Sequence, residues 1–240
     1  MSSAQQELDQ SAVLPINRPG EEFRSLLQAI RSSNISNLSL LHPRGKVLFA
    51  EGEPAQGVFI LRTGRAMVSI SSSEGRVVTL RVAQQGDVLG LNSVLRNGSF
   101  NTTVKALEAC RTSFISRTEI LGLIERSQPA VQAISQMLSR EVAELTERAR
   151  SLLLPQTASA KLARLLLEWC EQSGTSKSDT IEIRRTFTQE EIAHMICSSR
   201  ETVTRLLSNF NRGEIIHVTS DSILILNRAA LQKIAAGQKA

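Results

Sequence analysis

Residues Thr186–Ile215 read TFTQEEIAHMICSSRETVTRLLSNFNRGEI. Thr188 is placed to cap a helix, and Glu191, three residues on, completes a capping box. Ile192, Met195 and Ile196 fall on one face of that helix. Cys197–Ser198 form a tight turn, after which Ser199 caps a second helix with Thr202 in its first turn. Val203, Leu206, Leu207 and Phe210 are the inner face of the second helix. Two short helices joined by a tight turn, the second opening on polar residues, make a helix-turn-helix.

The chemistry lies on the other face of the second helix. Arg200, Glu201, Thr204 and Arg205 point away from the apolar side. A guanidinium can donate two hydrogen bonds to guanine O6 and N7, and a carboxylate can accept one from cytosine N4. Arg200, Glu201 and Arg205 are therefore the expected base contacts. The hydroxyls of Thr188, Ser199 and Thr202, with the amide of Gln189, suit phosphates, which fix register but carry no sequence. An Arg-Glu pair followed by a later Arg also occurs on ordinary surface helices. The capped helix before it and the Gly213 turn after it set this one apart. Double-stranded DNA is the expected partner.

Upstream, the pattern changes twice. Val131, Ile134, Leu138, Val142, Leu145, Ala149 and Leu152 are spaced by three and four, with Pro129 at the start and Pro155 at the end. A narrow seam with charged flanks predicts a long helix that pairs with a second copy of itself. Between Pro43 and Ser116, short β-rich runs (KVLF, GVFIL, AMVSI, VVTLRV, TTVKAL, TSFIS) alternate with glycines, the pattern of a sandwich or barrel. Glu21–Ser32 and Thr157–Gln172 read as amphipathic helices, Ser173–Asp179 as a polar loop, and HVTSDSILIL as a small hairpin among short helices. The expected fold class is α+β. Its parts are a flexible leader over 1–20, a β-roll sensor domain over 21–127, a dimerisation helix over 128–154 and a winged helix-turn-helix over 155–240.

Composition sets the outer bounds. The chain has 240 residues, 41% of them hydrophobic, with one Trp and no Tyr, so its core must be aliphatic. Net charge is +5, which favours a polyanion only weakly. Cys110, Cys170 and Cys197 share no metal-ligand spacing, so no zinc site or disulfide framework is expected, and a reducing cytoplasm fits. The leader has no signal-peptide pattern, and no apolar run is long enough to span a membrane. No phosphate-binding loop, nucleophile elbow, HExxH or paired-carboxylate constellation is present, so an enzyme is not expected.

Cys197–Leu207 (CSSRETVTRLL) resembles the recognition helix of the cyclic AMP receptor protein / fumarate-nitrate regulator (CRP/FNR) family. GKVLFAEGEPAQGVFILRTGRAMVSI and QQGDVLG resemble its sensor domain, so the likeness runs from about Leu41 to Leu226 in the family's order. It implies a cyclic-nucleotide-binding-type β roll, a dimer helix, a winged helix-turn-helix, half-sites of the TGTGA type and RNA polymerase as a further partner. Some activators of the family touch the polymerase where Ser173–Asp179 stands, although these residues do not match closely. Gln189 stands where some relatives carry a basic residue.

The same likeness exposes departures. Nucleotide-binding members have a Gly-Glu-Leu-Gly turn whose Glu holds the ribose, and a later Arg-Ser pair whose Arg holds the cyclic phosphate. This chain has Gly90, Leu91, Asn92 and Ser93 at the first place and Phe100-Asn101 at the second. Thr146 stands on the dimer helix where family members can reach the base. A cyclic phosphate buried here without a paired cation would suffer a large desolvation penalty. Arg81 and Lys105 are the candidate compensating cations, with orientation open. Iron–sulfur and haem sensing lack the ligands they need: His194 and His217 fall in the reading head, His42 precedes the roll, and Cys110 reads as a core residue. No cofactor is expected and the effector is unknown. The competing reading is a cyclic-nucleotide-type regulatory module that does not bind DNA, and the C-terminal head argues against it.

Overall fold

The computed structural model describes residues 20–238 apart from 36, 154–156, 174–175, 178–179 and 185–186. The elements begin with α1 (Glu21–Ser32), β1 (Leu38–His42), β2 (Val47–Phe49), β3 (Gly57–Thr63), β4 (Ala66–Ser71) and β5 (Val77–Ala83). They continue with β6 (Val88–Leu89), α2 (Leu91–Leu95), β7 (Thr103–Ala106), β8 (Cys110–Ser116), α3 (Arg117–Arg126) and α4 (Gln128–Leu153). The C-terminal part holds α5 (Ala158–Ser173), β9 (Ser176–Lys177), β10 (Thr180–Arg184), α6 (Gln189–Ile196), α7 (Arg200–Arg212), β11 (Ile216–Val218), β12 (Ser222–Ile225) and α8 (Arg228–Ala235). Residues 1–19 of the leader lie outside the described residues.

The chain forms two compact units. One comprises Arg18–Ala158 with Thr186–Thr204, the other Ser159–Arg185 with Arg205–Ala240. In the first, two antiparallel four-stranded sheets, ordered β1-β8-β3-β6 and β2-β7-β4-β5, build a roll. Their inward residues, among them Phe49, Ile60, Val68, Val104 and Ile115, share one core with Phe23, Leu26 and Ile30 of α1. The hydrophobic effect holds this roll, and Phe49, Phe59, Phe100 and Phe114 form an aromatic cluster within its largely aliphatic core. Gly64 has φ +87°, and a Cβ there would sit 2.6 Å from the carbonyl oxygen of Ala109, so the turn between β3 and β4 requires glycine.

Helix α4 runs for 26 residues, about 39 Å at 1.5 Å per residue. Its seam is divided. Ile134 is buried in the roll's core beside Ala130, Ala133 and Met137, and Leu138 packs partly against it. Beyond Arg140 the same stripe surfaces: Val142 is 63% exposed, Leu145 37%, and Ala149 is open. The side chain of Leu152 lies outside the described residues. The seam therefore serves its own domain first and presents only its C-terminal part outward.

The second unit is built on α5, whose Leu162 and Leu166 are fully buried. A four-stranded sheet ordered β11-β12-β10-β9 completes it. The hairpin expected from HVTSDSILIL is β11–β12, and it extends into a sheet because Ile181 and Ile183 of β10 pair with Ile225 and Ile223. Strands β9 and β10 replace part of the polar loop and the short helical stretch that the sequence suggested.

Candidate nucleic-acid interface and sensor cavity

Helix α6 begins as its sequence dictates. The Thr188 hydroxyl accepts from the Glu191 N–H at 3.1 Å, and the Glu191 carboxylate accepts from the Thr188 N–H at 2.7 Å. The helix ends at Cys197, which adopts the left-handed conformation at φ 51°, and the Ser198 N–H closes the turn on the Ala193 carbonyl at 2.9 Å. Ser199 then accepts from the Thr202 N–H at 3.2 Å and starts α7. The Thr188 hydroxyl accepts through oxygen, so its proton remains to be donated, whereas the Ser199 hydroxyl also bonds Glu201 and lies 3.2 Å from the Thr202 hydroxyl.

On α7, Val203, Leu207 and Phe210 are buried and Leu206 is half-buried. Arg200, Glu201, Thr204 and Arg205 are exposed. At about 100° per residue they span an arc of about 140°, opposite the apolar stripe. The Glu201 carboxyl is held below its usual range by hydrogen bonds from its own N–H and from Ser199, so it stays ionised as an acceptor. The Thr204 hydroxyl shares its single proton between the Gln189 side-chain oxygen at 2.6 Å and the Arg200 carbonyl at 2.9 Å. Gln189 is thus engaged in tying α6 to α7, leaving its amide N–H groups as donors. At the far end of α7, the Asn211 side chain accepts from the Val218 N–H at 3.1 Å, and the Ile215 N–H reaches Phe210 O at 3.0 Å. These bonds anchor the hairpin to the helix that precedes it.

The sensor residues separate into three groups. Gly90 has φ +81°, and a Cβ there would meet the Phe100 ring at 2.5 Å. That ring is buried and stacked on Phe49 with centroids 3.9 Å apart, so Phe100 is core. Asn92 and Asn101 are exposed, and Asn101 exchanges hydrogen bonds with Ser93 at 3.1 and 3.3 Å. Thr146 is exposed, its hydroxyl donating to the Val142 carbonyl at 2.8 Å in its own helix. Only Leu91 of these lines the cavity between the roll and α4, together with Arg81, Val88, Met137 and acidic side chains.

Arg81 turns inward and Lys105 is exposed. Burial opposes the charge on Arg81, but the Asp87 carboxylate at 2.6 Å outweighs it and lifts the guanidinium above its usual range. Asp87 and Arg140 are cavity residues that sequence reasoning did not single out as a pair. Asp87 stands inside QQGDVLG, and Arg140 lies among the charged residues that flank the apolar stripe of α4. Among the described residues, no group of three His, Cys, Asp or Glu side chains is placed to hold a metal ion, and no helix is long and apolar enough to cross a membrane.

A roll followed by a long helix and a capped helix-turn-helix defines a DNA-binding regulator with a sensor-type domain. Residues 41–127 match the cyclic nucleotide-binding domain family, and residues 160–234 match the Crp-like helix-turn-helix domain. The chain is 25% identical over 193 residues to the CRP-like cAMP-activated global transcriptional regulator of Mycobacterium tuberculosis, covering 80% of this chain and 86% of that one. It is 29% identical over 193 residues to the global nitrogen regulator of Synechococcus elongatus, covering 79% and 86%. The solved structure of the c-di-GMP responsive global regulator CLP of Xanthomonas campestris superposes with a TM-score of 0.73 at 17% identity, covering 83% and 98%, a likeness of fold alone. The chain belongs to the CRP/FNR family of transcription regulators, and it is a DNA-binding regulator rather than an enzyme.

Proposed function

We propose that the chain acts in the cytoplasm as a homodimer that reads inverted TGTGA-type half-sites, is not controlled by cyclic AMP, and works with RNA polymerase. The observation that carries the reading is the exposed arc of α7. Arg200 and Arg205 read guanines, and Glu201 accepts from a cytosine of the opposite strand. Thr188, Gln189, Ser199 and Thr202 supply phosphate contacts around them. Val142, Leu145 and Ala149 support pairing of two α4 helices about a two-fold axis, which places two heads on inverted half-sites about one helical turn apart. Buried Leu91 and stacked Phe100 at the places of the ribose and phosphate anchors support independence from cyclic AMP. The Ser173–Asp179 loop considered for polymerase contact lies partly outside the described residues.

A titration of the chain, without nucleotide, onto a TGTGA–spacer–TCACA duplex tests the reading. Affinity should exceed that for a scrambled duplex by about 10³-fold or more. Equal affinity for both duplexes contradicts it. Sedimentation should give twice the chain mass, and Leu145→Glu should give a monomer.

A further inference from the structure

The cavity between the roll and α4 is already occupied by charge. Asp87 bridges two arginines: its Oδ2 takes Arg81 Nη1 at 2.6 Å, and its Oδ1 takes Arg140 Nη2 at 3.1 Å. The Gln84 N–H adds a third bond to Asp87 at 3.0 Å, which fixes the carboxylate. Arg140 also donates to Glu22 of α1 at 2.7 Å. Glu144 stands 3.7 Å from Arg140 Nε and 3.9 Å from Arg81 Nε. The side chains of Arg81, Asp87 and Glu22 are only 16%, 15% and 18% exposed, while Arg140 and Glu144, at 44% and 45%, form the outer edge of the web.

We propose that this ion-pair web is the chain's internal substitute for an effector, fastening the middle of α4 to α1 and the roll with no small molecule bound. The proposal rests on the reading of the chain as a regulator that binds DNA without a cyclic nucleotide, and it adds what holds the helix in the effector's place. Three elements meet in the web. Glu22 comes from α1, Arg81 and Asp87 come from β5 and the turn before β6, and Arg140 and Glu144 come from α4, where the apolar stripe leaves the core.

Space and charge both point the same way. The room left between these side chains suits a water or two, whereas a drug-sized ligand needs on the order of 300–1,000 Å³. The Arg81 Nε has no hydrogen-bond partner, so a water there would complete it. Glu22, Asp87, Glu141 and Glu144 outnumber Arg81 and Arg140, so the site is net negative. An anionic ligand would have to break the Arg81–Asp87 pair and face the remaining carboxylates. Breaking one partner of a buried pair leaves an uncompensated charge, so the web is hard to open from outside.

Hydrogen–deuterium exchange of the full chain, free of nucleotide, tests the proposal with Arg140→Gln, Asp87→Asn and the exposed control Glu74→Gln. The first two should speed exchange over residues 137–147 at least tenfold and weaken binding to the TGTGA duplex at least tenfold, while β3 and β8 keep wild-type exchange. Glu74→Gln should change neither. Asp87→Asn decides the matter if Arg140→Gln does not fold, and the reverse holds. Wild-type exchange over 137–147 in a folded variant overturns the proposal. If the wild type does not bind the duplex, the proposed function fails, and exchange over 137–147 still reads the web.

Discussion

Two pairs of arginines show the same side chain in opposite uses. At the cavity, Arg81 of β5 and Arg140 of α4 are held by carboxylates at 2.6–3.1 Å. On α7, Arg200 and Arg205 are exposed, and neither takes part in an ion pair among the described residues. A paired guanidinium turns its charge to partners within the fold. An exposed one keeps its planar fork for a ligand, and a guanine edge matches that fork. The sensor end of this chain has turned inward while the reading end stays open.

The largest expected effect comes from breaking the inward pair. Asp87→Asn leaves Arg81 largely buried without a full counter-charge and should cost about 3 kcal/mol of stability, read by chemical denaturation. A loss well under 1 kcal/mol would mean that Arg81 is solvated and that the two arginine pairs do not differ. Next comes the outward pair: Arg200→Ala should cost about 1–3 kcal/mol per half-site and relax preference at one guanine, leaving stability unchanged. Unaltered base preference in competition binding would remove Arg200 from the readout.

Thr188→Ala should be smaller and of another kind. It removes the cap of α6, worth about 1 kcal/mol, and weakens all DNA sequences alike. Loss confined to TGTGA sites would place Thr188 among the base readers instead. The smallest effect sharpens the cavity side. Burial raises the Glu141 carboxyl above its ordinary range, against the pull of Arg81. A carboxyl raised on folding favours the folded state only while protonated, and that advantage is lost as pH rises through its folded value. Glu141→Gln should therefore be slightly more stable than wild type at neutral pH, with the gap closing below the ordinary carboxylate range. A less stable variant at neutral pH would show Glu141 acting as a net partner of Arg81.

Most of the reading head was legible because its signals are local. Thr188 and Glu191 are three residues apart, and the capping box they predict forms with both bonds. The bounds Glu21–Ser32 of α1 follow from apolar spacing alone. The sensor cavity was not legible, because its chemistry joins residues far apart in the chain. Arg81 shares a strand face with buried Ala83, but a bulge at Leu80 breaks the alternation between Thr79 and Arg81, so spacing in the sequence does not mark that face as inward. The even spacing of the α4 stripe likewise hid its division, since Ile134 and Leu145 look alike until the roll covers only the first. Strand β10 escaped notice because TIEIR is short and acquires its role only by pairing with β12.

Selection from a random DNA pool with the full chain, run with and without cyclic AMP, tests the central claim most directly. The account predicts one enriched motif, TGTGA–spacer–TCACA, the same in both runs, with the guanine preference weakened in Arg200→Ala. Enrichment that requires cyclic AMP, or a motif without the TGTGA core, would contradict it.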